Sequence, residues 1–308
     1  MAQNTEFPFA EGRIFREDRT FTMMDGTVLH AHRYESSRKP RKGRKHWEAR
    51  PTKLLVMPDP DTTMRSVEPF ILALLSREDA PKAVWTFDGR GRGQSGSDGE
   101  DRGLDKASGD LLALCDGANL HHCDIVANGR AAQVVFASAP KRPTLARRLV
   151  LNDGPPELDS VGLARLSALR KRLRAPKDWE DAATLLRDTT PGKFEAFTET
   201  DWTERARAVW HEVKGKIVPD AHASLAQAGV DIDFDGPQPS MWTEFAVLKR
   251  LPMLLVRGEA SPLVTDALAT RLRERHPRLD DHVARGQGHI AELSKPDVLD
   301  RVAGFLAD

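Results

Sequence analysis

The side chains able to do chemistry gather in a few short stretches. His289 stands in GQGHIAEL (286–293), preceded by Gly286 and Gly288. An imidazole on such a loop can take and return a proton near neutral pH, provided a carboxylate fixes its tautomer. Asp153, in LVLNDGPPE (149–157), is one carboxylate that could do so, and its competing role is to cap the turn at Gly154-Pro155. Glu259 and Asp266 are the others. Asp59 and Asp61 flank Pro60 in MPDPDTT (57–63), where two carboxylates would repel a developing negative charge and Pro60 has no N–H to donate. In DGRGRG (88–93), Asp88 and Arg90 are expected to tie down a tight turn. A phosphate cradle is the competing reading, weakened because no apolar helix with a downstream acidic residue follows at the expected spacing. The His121-His122 pair, the alternating His30 and His32, and the two cysteines, Cys115 and Cys123, have no spacing that reads as a metal site. No metal and no cofactor are expected.

The composition narrows the function classes. A chain of 308 residues, 40% hydrophobic, is long enough for one large core with a smaller insertion. Lys+Arg and Asp+Glu both number 46, and this zero balance argues against a nucleic-acid or membrane-surface role. The first residues, MAQNTEFPFAEGR, lack a basic patch followed by an apolar run, and no segment approaches the roughly 18 apolar residues that span a bilayer. With two cysteines and no disulfide framework, the expectation is a cytoplasmic protein, monomeric or homodimeric.

The elements that must position those residues follow a rhythm. Residues 13–34 read as two strands joined at Asp25-Gly26, a hairpin signal. The basic stretch 36–51 reads as an exposed loop. Strands are then expected at Thr52–Met57, Ala83–Phe87, Cys123–Ala127 and Arg148–Asn152, with helices at Ser66–Ser76, Ala107–Asn119 and Arg130–Ser138. Short apolar strands alternating with helices indicate a parallel sheet covered on both faces. The rhythm stops at Gly154-Pro155-Pro156. Residues 157–246 are helical in pattern, hold no convincing buried strand and carry Trp179, Trp202, Trp210 and Trp242. It resumes with a strand at Pro252–Val256, a helix at Thr265–His276, a strand near His282 and a helix at Pro296–Leu306.

Four segments carry a resemblance. WTFDGRGRGQSGSD (85–98) is similar to the D-x-R-G-x-G-x-S strand end of the α/β-hydrolases. LVLNDGPPE resembles the strand end before the cap in that family, LPMLLVRGEASPLV (251–264) the strand end that carries its acid, and GQGHIAEL its histidine loop. The landmarks fall in the family's order and cover roughly residues 12–306. The resemblance implies an α/β-hydrolase fold: a mostly parallel central sheet flanked by helices, with a core of residues 12–156 and 247–308 and an inserted helical cap at 157–246.

It also implies a nucleophile on a strand-to-helix elbow, G-x-S-x-G, with His289 as base and an acid after the seventh strand. The elbow falls on Ala127-Asn128-Gly129-Arg130-Ala131-Ala132, which puts Gly129 at the nucleophile position, and Pro262 stands at the acid position. No G-x-S-x-G occurs in the chain; Ser97 comes nearest, without elbow context, and Ser138 lies too far along the helix. Asp153 is then the possible substitute acid. Asp59, Pro60, Asn128, Arg130 and Trp242 are the expected pocket residues.

The leading expectation is therefore a hydrolase-fold protein without ordinary serine hydrolysis, binding a small molecule under the cap or a protein partner. Three alternatives stay open. One is non-covalent general-base chemistry by His289, with Arg130 clamping an anionic substrate. Another is an active hydrolase of a small ester or C–C bond with its serine elsewhere. The last is nucleic-acid binding through residues 38–50, which has only local charge in its favour.

Overall fold

The computed structural model describes residues 4–9, 12–38, 53–96, 103–157, 161–162, 164, 168–169, 174–190, 192–219 and 240–307. Its centre is a nine-stranded sheet in the order β1-β2-β3-β5-β4-β6-β7-β10-β11. The strands are β1 (Asn4–Phe9), β2 (Gly12–Thr22), β3 (Val28–Ser36), β4 (Lys53–Met57), β5 (Ala83–Phe87), β6 (Cys123–Asn128), β7 (Ala146–Asn152), β10 (Met253–Gly258) and β11 (Leu279–Ala284). The pairs β1–β2, β2–β3 and β3–β5 are antiparallel, and every pair from β5 across to β11 is parallel. The β2–β3 hairpin turns at Asp25-Gly26 as its sequence predicts, with Asp25 Oδ1 accepting from Thr27 N–H.

The central strands are continuous apolar runs because both faces are covered. Successive residues alternate between two cores. Leu55, Met57, Ile125, Ala127, Leu149, Leu151 and Leu255 pack on one face with α2 (Leu104–Gly117), α3 (Ala131–Ser138) and α7 (Asp266–Arg275). Leu54, Val56, Val126, Val150, Leu254 and Val256 pack on the other with α1 (Glu68–Leu75) and α8 (Pro296–Ala307). At about 1.5–3 kcal/mol for each fully buried aliphatic side chain, these paired layers hold the parallel strand ends in fixed register.

The turn after β5 is tied as expected. Asp88 Oδ1 accepts from Met64 N–H at 2.8 Å, and Arg90 grips Asp110 through Nε and Nη2 at 2.5 and 2.8 Å. Asp88 Oδ2 faces the Gln94 amide at 3.4 Å, so a carboxylate already sits inside the glycine turn where a phosphate would have to bind.

Between β7 and β10 lies the interrupting segment. It contains α4 (Trp179–Thr189), capped by Asp178, and α5 (Glu199–Arg207), which opens with a capping box between Thr198 and Asp201. Ala182, Leu185, Leu186, Phe194, Trp202 and Trp210 form a third, smaller core. The segment, helical in pattern by sequence with no convincing buried strand, also holds a largely exposed antiparallel hairpin of β8 (Trp210–Val213) and β9 (Lys216–Pro219). Its turn residues, Lys214 and Gly215, both take positive φ (51° and 75°), the geometry that two-residue hairpins favour. Further on, α6 (Trp242–Val247) packs Phe245 into the first core. The basic stretch lies outside the described residues from position 39 to its end at 51, as does Ser97.

Candidate functional site

The parallel strands β4, β6, β7, β10 and β11 end on one edge of the sheet, and their loops converge there, as ligand sites on open α/β sheets do. Two asparagines lock the floor. Asn128 Nδ2 donates to Met57 O at 2.8 Å, and Asn152 Nδ2 donates to Asn128 Oδ1 at 2.7 Å and to Ala291 O at 2.9 Å. The ends of β4, β6 and β7 and the histidine loop are thus tied together. Gly258 closes β10 at a point where a Cβ would lie 2.7 Å from both Gln287 O and Gly288 C, so a larger residue would push the histidine loop away.

His289 and Asp153 meet. Nδ1 of His289 lies 3.0 Å from Asp153 Oδ2, with Asp153 fully buried and His289 nearly so. A carboxylate on Nδ1 favours the Nδ1–H tautomer and leaves Nε2 as the basic nitrogen. The rival carboxylates are engaged elsewhere: Glu259 accepts from Gly286 N–H at 2.8 Å, and Asp266 pairs with Arg257. Pro262 lies in the loop between β10 and α7, which gives His289 no carboxylate partner.

The elbow is present in backbone form. Gly129, between β6 and α3, has φ +53°, and its N–H donates to Asn152 O at 2.8 Å. The room above it is taken. A Cβ there would fall well inside contact distance of Asp59 Oδ2, 3.1 Å from Asp59 Cγ and 2.9 Å from Ile290 Cδ1. Asp59 Oδ2 also accepts from Arg130 N–H at 3.0 Å, while Oδ1 accepts from Asp61 N–H at 2.9 Å. The amide following the elbow centre, the donor that would face an oxyanion in acyl transfer, is therefore occupied by a carboxylate of the same chain.

The Arg130 side chain turns to Asp61, its Nη2 pairing with the carboxylate at 2.6 Å. Burial works against its charge, but Asp61 and Asp59 beside it hold its pKa above the ordinary arginine value.

A cavity of about 500 Å³ opens over this edge. Asp59, Asn128, His289 and Ile290 line its floor, and Leu186, Phe197, Arg205, Val209 and Trp210 form the opposite wall from the interrupting segment. Pro60 borders a smaller cavity of about 140 Å³ on the other side of Asp59. The placement of Trp242 in the pocket is corrected. Its Nε1 donates to Glu157 Oε2 at 2.5 Å, and its ring lies under Arg271 and Arg275, 5.2 and 4.4 Å from their guanidinium carbons. Sequence reasoning also missed Arg205, whose surroundings, charged residues of an amphipathic helix, read as a solvated face. Among the described residues no cluster of three His, Cys, Asp or Glu could hold a metal.

The architecture matches solved structures along nearly its whole length. An α/β hydrolase from Novosphingobium aromaticivorans superimposes with a TM-score of 0.76 at 23% identity, covering 97% of this chain and 99% of that one. The chain has the α/β-hydrolase fold. E-2-(acetamidomethylene)succinate hydrolase is similar with a TM-score of 0.73 at 20% identity over 94% of this chain and 99% of its own. N-formylmaleamic acid deformylase from Pseudomonas putida gives 0.58 at 19% identity, over 88% and 94%. No family model matches the chain, and no curated protein sequence matches it significantly. No helix among the described residues is long and apolar enough to cross a membrane.

Proposed function

We propose that this chain binds a small molecule in the cavity over its strand ends and does not carry out serine-type acyl transfer. The observation that carries the reading is the Asp59 carboxylate on the Arg130 amide at 3.0 Å, in the space above Gly129. Acyl transfer on this fold needs a side-chain nucleophile at the elbow and a free amide for the oxyanion. Gly129 supplies no nucleophile. Losing one oxyanion donor alone costs about 10²–10³ in rate. A fixed negative charge about 4 Å from a developing oxyanion adds roughly 4 kcal/mol of repulsion, close to another three powers of ten.

Support for binding comes from the cavity, whose volume of about 500 Å³ lies within the range of small-ligand sites. In this reading the described part of residues 157–246 acts as a cap, with Trp210 in the wall over the site. Two of the structural neighbours act, by their names, on small acids carrying an amide group, which sets a plausible ligand size. Cys115 and Cys123 are both free and buried, and burial pushes the Cys115 thiol up to about 12, which fits a reducing, cytoplasmic setting.

The test is hydrolysis of a p-nitrophenyl ester series of short to medium chain length by wild type and His289→Ala. The expected outcome is equal, non-saturable background in both. Saturable turnover lost in His289→Ala would overturn the reading.

The His289–Asp153 bond supports a second reading, general-base proton abstraction with no covalent step. Deprotonation of nitroethane, followed through nitronate absorbance, tests it: wild type should exceed His289→Ala at least tenfold. Equal rates would remove it.

A further inference from the structure

The cavity wall holds a cation, Arg205, that makes no contacting ion pair among the described residues. Arg205 lies near the end of α5, where Trp202 and Ala206 turn into the small core and Arg205 turns toward the cavity. Its guanidinium rests on Phe194 and Phe197, 4.9 and 5.7 Å from their centroids, and Nη2 donates to Ile290 O at 3.2 Å. Nη1 is out of reach of solvent and has no hydrogen-bond partner. A buried donor left unsatisfied is costly, and the cost is greater when the group is charged.

The other charges around the cavity are matched or face solvent. Lys295 pairs with Asp201 at 2.6 Å, and Asp61 pairs with Arg130. Asp59 is held by two backbone amides, Glu292 Oε1 accepts from the Ser294 hydroxyl at 2.9 Å, and Glu204 is exposed. Burial pushes the Arg205 pKa below the ordinary arginine value, and the charge of Glu292 offsets this only in part.

We propose that Arg205 anchors the ligand of this cavity and that the ligand is a small organic monocarboxylate with an apolar body. This rests on the ligand-binding reading above. An entering carboxylate supplies an acceptor and a close counter-charge to the guanidinium where it lines the cavity, in a charge-assisted bond. Val67, Phe70, Leu186, Val209 and Leu293 line the cavity with apolar surface for the rest of the molecule. The carboxylates at the floor and mouth repel a second negative charge, which selects one acid group over two. Because Arg205 is bonded to Ile290 O, the anchored end lies beside the residue that follows His289, and the body of the ligand extends along the floor.

Isothermal titration calorimetry on the full chain tests this with 4-phenylbutyrate and octanoate, each against its primary amide. The acids should bind at least tenfold more tightly than the amides. R205M should abolish that preference, and R205K should retain part of it. Without probe, the Tm of R205M should equal or exceed that of wild type, since it removes a buried donor, Nη1, that has no partner among the described residues. Amides that bind as tightly as the acids would overturn the proposal and leave the ligand-binding reading standing. Failure of both acids to bind, an acid preference that survives in R205M, or a Tm lowered by several degrees in both variants would each overturn it. Saturable, His289-dependent ester turnover would instead overturn the underlying reading, whatever the acids do.

Discussion

The two halves of the strand-end site have different construction. On the β7–β11 side, Asp153 and His289 come from loops 136 residues apart and meet at 3.0 Å in a buried, hydrogen-bonded pair. On the β4–β6 side, the elbow keeps its backbone turn, but the Asp59 carboxylate and the Ile290 methyl fill the space a nucleophile would need. The difference teaches that losing a side chain is not the same as losing a site. The first half keeps an imidazole with a carboxylate on Nδ1, the arrangement that the general-base reading needs. In the second, the Asp59 carboxylate holds the Arg130 and Asp61 amides, and the Arg130 side chain pairs with Asp61.

The largest expected effect breaks the first half. His289→Ala would leave the Asp153 carboxylate buried with no partner. Leaving a buried carboxylate without its donor should cost about 3 kcal/mol or more. Removing both groups in His289→Ala with Asp153→Ala should cost less than the sum of the singles, with coupling of at least about 1 kcal/mol in urea unfolding. Strict additivity would mean that the two groups are merely neighbours.

Next comes the second half. Gly129→Ser should destabilise by about 2–4 kcal/mol, because its Cβ meets Asp59 and Ile290 and its φ is positive. It should also fail to create esterase activity. Adding Asp59→Gly should recover at least about 1 kcal/mol and free the Arg130 amide. A Gly129→Ser variant as stable as wild type would show that the room above the elbow is open. Asp59→Ala alone is a smaller step, costing about 1–3 kcal/mol for the lost bonds to the Arg130 and Asp61 amides.

The same contrast explains what the sequence made readable. Strands such as Ala83–Phe87 could be placed to the residue because they are short apolar runs bounded by turn residues. His289, Asp153 and the side-chain-free elbow at Gly129 could be found because each lies at a strand end marked by glycine or proline. The plug could not, since Asp59 and Arg130 are 71 residues apart and nothing local to either requires the contact. The segment after Pro156 has no strand-end landmark to orient its side chains, so sequence alone does not separate Trp242, outside the cavity, from Arg205, in its wall. The β8–β9 hairpin was detectable: Lys214-Gly215 between Trp210–Val213 and Lys216–Pro219 is a turn signal, hidden by the charged residues around it.

The smallest expected effect asks whether a buried histidine becomes a site only with a carboxylate beside it. His276 is as buried as His289, but Nε2 faces a backbone carbonyl, Leu248 O, at 3.0 Å, and Nδ1 has no partner. Burial pushes its pKa below the ordinary histidine value, the carbonyl bond opposing this only in part. The unfolded chain therefore binds a proton on this ring more readily than the folded one. Its contribution to stability is fully present above the unfolded pKa of about 6.5 and is lost as pH falls from there toward the depressed folded value. His32 and His282 are shifted downward by burial in the same sense, so wild type should lose Tm steadily between about pH 7 and pH 5. His276→Gln keeps a donor for Leu248 O and removes the titration, so its Tm should fall less steeply over that range. An unchanged slope would show that the ring exchanges protons with solvent in the folded state, and that burial without a carboxylate does not fix the charge of a histidine in this fold.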